Sequence, residues 1–183
     1  VFESNRRAVR QRFHAHVDRA WHRQRLAADY DWTRGRDNTD GPFSFPEHSG
    51  DLAAEWARSA GIPPHELTIM TSLALPGAVS VNVVDVWRSG APFNITTARV
   101  TDGKGLVLDR AGRPRNSGDG PAFHSTSLYA HRRFGLSRIL GTSAGTGINV
   151  AIQSDNLLNN RNYLAVGSIA GSAAFGTPLA AYP

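Results

Sequence analysis

Apolar and polar residues alternate with a period of two along most of the chain. In "VRQRFHAHVDRAW", residues 9–21, Val9, Phe13, Ala15, Val17 and Trp21 share one parity, and Arg10, Arg12, His14, His16 and Asp18 share the other. In "RLAADYDWT", residues 25–33, Leu26, Ala28, Tyr30 and Trp32 oppose Ala27, Asp29, Asp31 and Thr33. "HELTIMTSLAL", "AVSVNVVDVW", "FHSTSLYAHRRF" and "GINVAIQSD" repeat the pattern. Strict alternation over such lengths predicts strands with one apolar face. The parity slips at Val83-Val84, which predicts a bulge there.

The connections between these six stretches are of two kinds, and the kinds alternate. Short ones fall near residues 19–24, 76–77 and 135–145. Long ones, rich in Gly, Pro, Asn and Asp, run over about 34–64, 98–121 and from 159 onward. Loops this long usually carry function in a compact domain. Within the first, "GDLAAEWARSAG" predicts a short helix with Asp51 as its N-cap, ended by Pro63 and Pro64. The prediction is therefore an all-β segment spanning residues 1–183, with antiparallel strands, tight turns at one end and long loops at the other.

That asymmetry is the pattern of outer-membrane barrels, with short periplasmic turns and longer external loops. Six strands are fewer than the roughly eight of the smallest single-chain barrels. A section of a barrel wall is expected, with a closing strand outside it. The opening "VFESNRRAVR" has neither an initiator Met nor a signal-peptide pattern, which fits a processed or excised piece.

Composition narrows the classes. The chain is 40% hydrophobic, and no apolar run reaches the roughly 18 to 20 residues of a membrane helix. The absence of cysteine removes disulfides and thiolate metal sites. The net charge of +5 is scattered through "NRRAVRQR", "HRQR", "RPR" and "HRRF", and no nucleic-acid-binding motif accompanies it. No nucleic-acid partner is expected. Trp21 and Phe134 stand beside short turns, and Tyr30, Trp32 and Phe93 at strand ends nearest long loops. Those are the levels of aromatic girdles, although position alone fits core aromatics equally well.

Candidate chemistry is sparse. His14 and His16 share a strand face, with Asp18 and His22 close in sequence, and could hold zinc. No His-Glu-x-x-His motif supports a metallohydrolase, and a polar row lining a lumen is the preferred reading. "TDGKGLVLD" lacks the alternating ligands of a calcium loop. "GTSAGTG" lacks the ending of a phosphate loop, and no nucleophile elbow occurs. The chain is expected to be no enzyme and to use no metal or cofactor.

Several stretches, in order, resemble the C-terminal part of the barrel of TonB-dependent outer-membrane receptors. The subgroup is the Oar-like one, with a carboxypeptidase-regulatory-like N-terminal domain. The stretches are "DYDWTRGRDNTDGPFSFP", "DLAAEWARS", "WRSGAPFNITT", "DGKGLVLDRAGRPRNSGDGPAF", "SDNLLNNRNY" and "FGTP". The chain departs from the family pattern at "AGIPPHEL". The resemblance implies a location in the outer membrane and a role in moving a bulky solute across it. It also implies outer-membrane lipid, the rest of the barrel and the plug as partners, together with a TonB energy-coupling complex acting through an N-terminal part. Arg10, Arg12, Asp29 and Asp31 would line the solute path. Loops 38–46 and 101–120, including Asp102 and Asp109, would contact the solute. Leu157 and Leu158 would stay against the wall or its neighbouring loop. The alternative is a soluble β-sandwich that binds a protein or polysaccharide.

Overall fold

The computed structural model describes residues 6–41, 44–48, 50–100, 109–141 and 145–181. The alternating stretches become β1 (Ala8–Trp21), β2 (Gln24–Asp37), β4 (His65–Leu75), β5 (Val79–Arg88), β8 (Phe123–Gly135) and β9 (Gly147–Ser154). The loops add short strands: β3 (Ala57–Arg58), β6 (Pro92–Phe93), β7 (Gly118–Asp119), β10 (Tyr163–Val166) and β11 (Pro178–Ala181). One helical turn, α1 (Ser137–Leu140), lies between β8 and β9.

The long strands form an antiparallel meander in the order β1-β2-β4-β5-β8-β9, with β3 beside β2. β6 pairs with β7, and β10 with β11. β1 and β9 are the two edges of the meander and do not pair with each other. The predicted all-β antiparallel architecture is present as an open sheet.

Register carries the sequence parity across all six strands. On one face Val17 stands opposite Ala28, Ala28 opposite Ile69, Thr71 opposite Val83, Val83 opposite Leu128, and Ala130 opposite Ile152. On the other face His16 meets Asp29, Asp29 meets Thr68, Ser72 meets Asn82, Asn82 meets Tyr129, and Tyr129 meets Gln153. One face is thus apolar across the full width and the other polar.

Nothing among the described residues covers the apolar face. Phe13 is 57% exposed and Ile152 68%. The chain presents 12557 Å² of surface, against about 8,600 Å² for a compact monomer of its mass. Buried apolar side chains among the described residues are only Ala27, Ala57 and Pro92. A sandwich would bury the row under a second sheet, and the described residues contain no such layer.

The turn ends are tight. His22 and Arg23 alone link β1 to β2, with His22 at φ 51°. Pro76, Gly77 and Ala78 link β4 to β5, where Gly77 supplies the left-handed φ of 78° that a turn needs. Two basic residues, Arg19 and Arg132, interrupt the apolar face near this end. The Arg132 guanidinium lies over the Phe134 ring at 4.6 Å.

Three expectations are corrected. The register of β5 runs unbroken through Val83 and Val84 against both neighbours, so there is no bulge. Val84 is an apolar residue in a polar row, opposite Met70 and Ser127, and not the sign of a slip. Residues 51–59 form turns and β3 instead of a helix; the Asp51 carboxylate accepts the Ala54 N–H at 3.1 Å but caps only a turn. Tertiary contacts of Glu55 and Arg58, described below, override the local helical pattern. Leu157 and Leu158 are exposed, at 47% and 59%, just past the edge strand β9.

The stretch around those leucines is held by its amides. Asn156 and Asn159 take left-handed φ values of 51° and 52°. The Asn156 side chain brackets the backbone of Asn160, accepting its N–H at 3.0 Å and donating to its carbonyl at 2.9 Å. The Asn162 side chain does the same to His124, at 2.8 Å both ways. The turn therefore fastens to β8 through these amides and the Leu157 N–H, which donates to the Thr126 carbonyl at 2.7 Å, without needing the leucine side chains.

Candidate functional site

Every long connection leaves the same end of the sheet, and there the loops bind one another. The loops after β2, β5 and β9 form one rim. Its centre is ionic. The Arg110 guanidinium grips Glu55 as a fork, Nη1 to Oε2 at 2.8 Å and Nη2 to Oε1 at 2.7 Å. Its Nε lies 2.9 Å from Glu47 Oε2, and its backbone N–H donates to Glu47 Oε1 at 2.6 Å. The Glu47 N–H in turn donates to Glu55 Oε1 at 2.9 Å.

Arg115 is buried beside this group and bonds the carboxylates of Asp37 and Asp40, the Asp37 carbonyl at 2.5 Å and the Glu55 carbonyl at 3.2 Å. Asn116, in a left-handed conformation at φ 56°, donates to the Arg58 carbonyl at 2.7 Å and to Asp40 at 3.1 Å. Arg58 answers across the same gap, reaching the carbonyls of Asn116 at 3.0 Å and Gly118 at 3.2 Å and the Asp119 carboxylate at 2.6 Å. Bidentate pairs of this kind are the strong, directional ones. The loop after β9 joins through Thr96, whose N–H donates to the Ser168 carbonyl at 3.0 Å and whose carbonyl accepts from Ala170 at 2.7 Å.

The electrostatics follow. Burial alone pushes the Glu55 carboxyl up, but the fork from Arg110, the Glu47 N–H and the nearby charge of Arg115 outweigh it. The net position is below the ordinary 4.5. The Ala111 N–H likewise lowers Asp109, and Glu55 raises Arg110. A carboxyl lowered on folding stabilises the folded rim above its unfolded value and loses that contribution as pH falls through the folded one. Limited proteolysis of the loop between β2 and β4 should therefore be slow at neutral pH and accelerate below about pH 4. Equal cleavage at both values would contradict this.

Beneath the rim, on the polar face, lies a cavity of about 740 Å³. Glu66, Arg88 and Phe123 from the strand ends form one side, and Phe93, Pro121 and Tyr163 from the loops another. Beside it the backbone at Gly90 packs against Gly120: a Cβ on Gly90 would come within 1.9 Å of the Gly120 carbonyl oxygen. Gly90→Ala should force the β6–β7 pair away from the strands and cost about 1–3 kcal/mol. Thermal unfolding checks this, and an unchanged midpoint would refute it.

The sequence-predicted site residues fall into separate places. Arg12, Asp29 and Asp31 meet on the polar face: Arg12 Nε donates to Asp31 at 2.7 Å, His14 Nδ1 lies 3.0 Å from Asp31, and His16 Nδ1 lies 2.7 Å from Asp29. The Arg25 fork on Asp18, at 2.6 and 3.0 Å, continues the row. Arg10 is exposed on the same face and has no carboxylate partner among the described residues. Asp109 is a turn residue, accepting the Ala111 N–H at 2.6 Å and the Thr97 hydroxyl at 3.2 Å. It is not brought to the polar row. Asp102 lies outside the described residues. No group of three His or acidic side chains among the described residues is arranged to hold a metal ion.

Loops 38–46 and 101–120 were expected to offer their polar residues to a solute. Asp40, Arg115, Asn116 and Asp119 are instead engaged with other loop residues. The aromatics also divide. Trp21 and Phe134 stand at the turn end of the apolar face, and Trp32 and Tyr30 at the loop end, as expected. Phe93 belongs to the rim, where Gly118 leaves room for its ring: a Cβ there would come within 2.7 Å of it. Trp87, opposite Leu67, completes the loop-end aromatics and was missed.

One polar group sits on the apolar face near its loop end. Asp85 accepts the Thr126 hydroxyl at 2.5 Å and lies 2.9 Å from His124 Nε2, while the Asn160 amide lies 3.1 Å from His124 Nδ1. A neutral His124 with its proton on Nε2 satisfies both contacts. Tyr30 Oη lies 2.7 Å from His65 Nδ1 at the same level.

No family model, curated protein sequence or solved structure matches the chain. No helix among the described residues is long and apolar enough to cross a membrane, which leaves strand-crossing proteins untouched.

Proposed function

We propose that this chain is a section of the wall of an outer-membrane β-barrel, of the TonB-dependent receptor type, that moves a bulky solute across the outer membrane. The observation that supports it is the mainly apolar face carried across six strands, with nothing among the described residues packed over it, backed by a face of ion pairs. In hydrocarbon every backbone group must be paired and only the outward side chains need be apolar. The apolar row of β4 runs from Leu67 to Leu75, within the roughly 9–11 residues a tilted spanning strand uses.

On this reading the tight turns are periplasmic and the bonded loops are external. Arg19 and Arg132 reach from the apolar face to the headgroups at the turn end. Asp85 stays paired with His124 and Thr126 because an unpaired charge beside lipid is costly. The edges of β1 and β9 continue into further strands of a closed wall, since open edges invite misassembly. The polar row of Arg12, Asp29 and Asp31 lines the lumen. The wall performs no bond chemistry. Plug and energy coupling are what the family resemblance adds.

Fractionation of a Gram-negative host expressing the full-length protein tests the proposal. Recovery in the outer-membrane pellet, resistant to urea washing, is expected. Recovery in the soluble fraction would overturn it.

A further inference from the structure

The cavity under the rim has the features of a ligand site, and one side chain in it is set to receive a ligand. Arg88 projects from the end of β5 on the polar face. Its Nε lies 3.2 Å from Glu66 Oε1, and its guanidinium lies over the Phe123 ring at 5.3 Å. The ring and the ion pair hold the group in place, while its buried Nε–H has no hydrogen-bond partner among the described residues. Among the described residues no acceptor takes the hydrogens of Nη1 or Nη2, although the side chain is more than half covered. An oriented guanidinium with its outer edge open is the geometry that receives a carboxylate in two parallel hydrogen bonds.

The rest of the wall is largely apolar or aromatic, with Ser89, Asn94 and Ser168 as its uncharged polar side chains. Phe93, Pro92, Pro121, Tyr163 and Leu164 surround the space, and Arg88 and Glu66 are the charged residues lining it. Glu66 lies in ion-pair range of Arg88 but accepts no hydrogen bond from its Nε, so the guanidinium keeps donors for a ligand. The volume of about 740 Å³ falls in the range of roughly 300–1,000 Å³ that holds small organic ligands.

We propose that this cavity binds an organic carboxylate with an apolar or aromatic body, the carboxylate on Arg88 and the body among Phe93, Pro121 and Tyr163. The inference rests on reading the polar face as the lumen side of a wall. It gives that lumen a selective site at its outer mouth, below loops in which Asp40, Arg115, Asn116 and Asp119 are engaged with one another and with neighbouring loop residues.

Calorimetric titration of the full-length protein in detergent micelles tests it, with N-acetyl-phenylalanine and its N-methylamide as probes. The acid should bind at least tenfold more tightly than the amide, because only the acid completes the Arg88 pair. Arg88→Gln should abolish that preference, and Tyr163→Ala should weaken both probes. If Arg88→Gln does not fold, Arg88→Lys, which keeps a charge beside Glu66 but not the fork, must still reduce the preference. Equal binding of acid and amide, binding of neither, or a preference that survives both Arg88 variants would overturn the site. Fractionation reports the wall independently: carboxylate binding by a protein found in the soluble fraction would keep the site and discard the wall.

Discussion

Replacing Arg115 with methionine will separate the first long loop from the second. The side chain is only 2% exposed and joins Asp37, Asp40 and the Glu55 carbonyl. Methionine nearly fills the volume but leaves two carboxylates facing each other without a cation. Removing one partner from a buried ionic group costs about 3–5 kcal/mol, mostly because the remaining charges stay buried and unpaired. Arg113, exposed two residues earlier in the same loop, is the control; its replacement by alanine should stay within about 0.5 kcal/mol. Protease protection of the loops reads the difference. The mechanism is checked by adding Asp37→Asn and Asp40→Asn to the methionine variant. If charge repulsion is the cause, the triple variant recovers part of the loss, as coupled neighbours should. A methionine variant as protected as wild type would show that the ionic centre does not hold the rim.

The second large effect belongs to the apolar face. Val81 lies between Leu73 and Ala130 on that face, and Asn82 lies between Ser72 and Tyr129 on the other. Val81→Arg should lower stability in bilayers by about 2–4 kcal/mol if it stands near the membrane midplane. Asn82→Arg, one residue away, should be tolerated, since it joins a face that already carries Arg12, Arg25 and Arg88. Urea titration of protein refolded into vesicles measures both. Adjacent residues with such different costs are what a two-sided wall requires. A polar outer layer over Val81 would make the two substitutions comparable.

The long strands were legible because their information is local. Alternation in "HELTIMTSLAL" fixes both element type and facing, and β4 has the predicted bounds. The same local logic failed where distant residues decide. Glu55 and Arg110 lie far apart in the chain, and no periodicity relates them; their fork turns "DLAAEWARS" into turns and a short strand instead of a helix. β6, β7, β10 and β11 are too short for alternation to register. Val84 looked like a slipped register because Val84 and Val86 stand in the polar row with Asp85 on the apolar one, which mimics a bulge.

The stretches that carried the resemblance have a common fate that their sequence did not show. Asp37 and Asp40, Glu55 and Arg58, Phe93 and Asn94, and Arg115 and Asn116 come from separate motifs, and all converge on the rim. Polar loop residues were expected to face a solute because polarity in a loop usually means solvent or ligand. Here their charges are complementary across loops, so they bond one another. Arg88, at a strand end, has the better claim to a ligand, and its only sequence signal was a basic residue on the polar parity just before a long loop.

The central claim is that one face of the sheet meets lipid and the other meets water. The chain has no cysteine, so each introduced one is unique. Spin labels placed singly at residues 79–83 of β5, in the protein reconstituted into bilayers, read the faces directly. Positions 79, 81 and 83 should be reached by lipid-soluble oxygen, and positions 80 and 82 by a water-soluble nickel chelate. Equal access of the chelate to both sets would contradict the account.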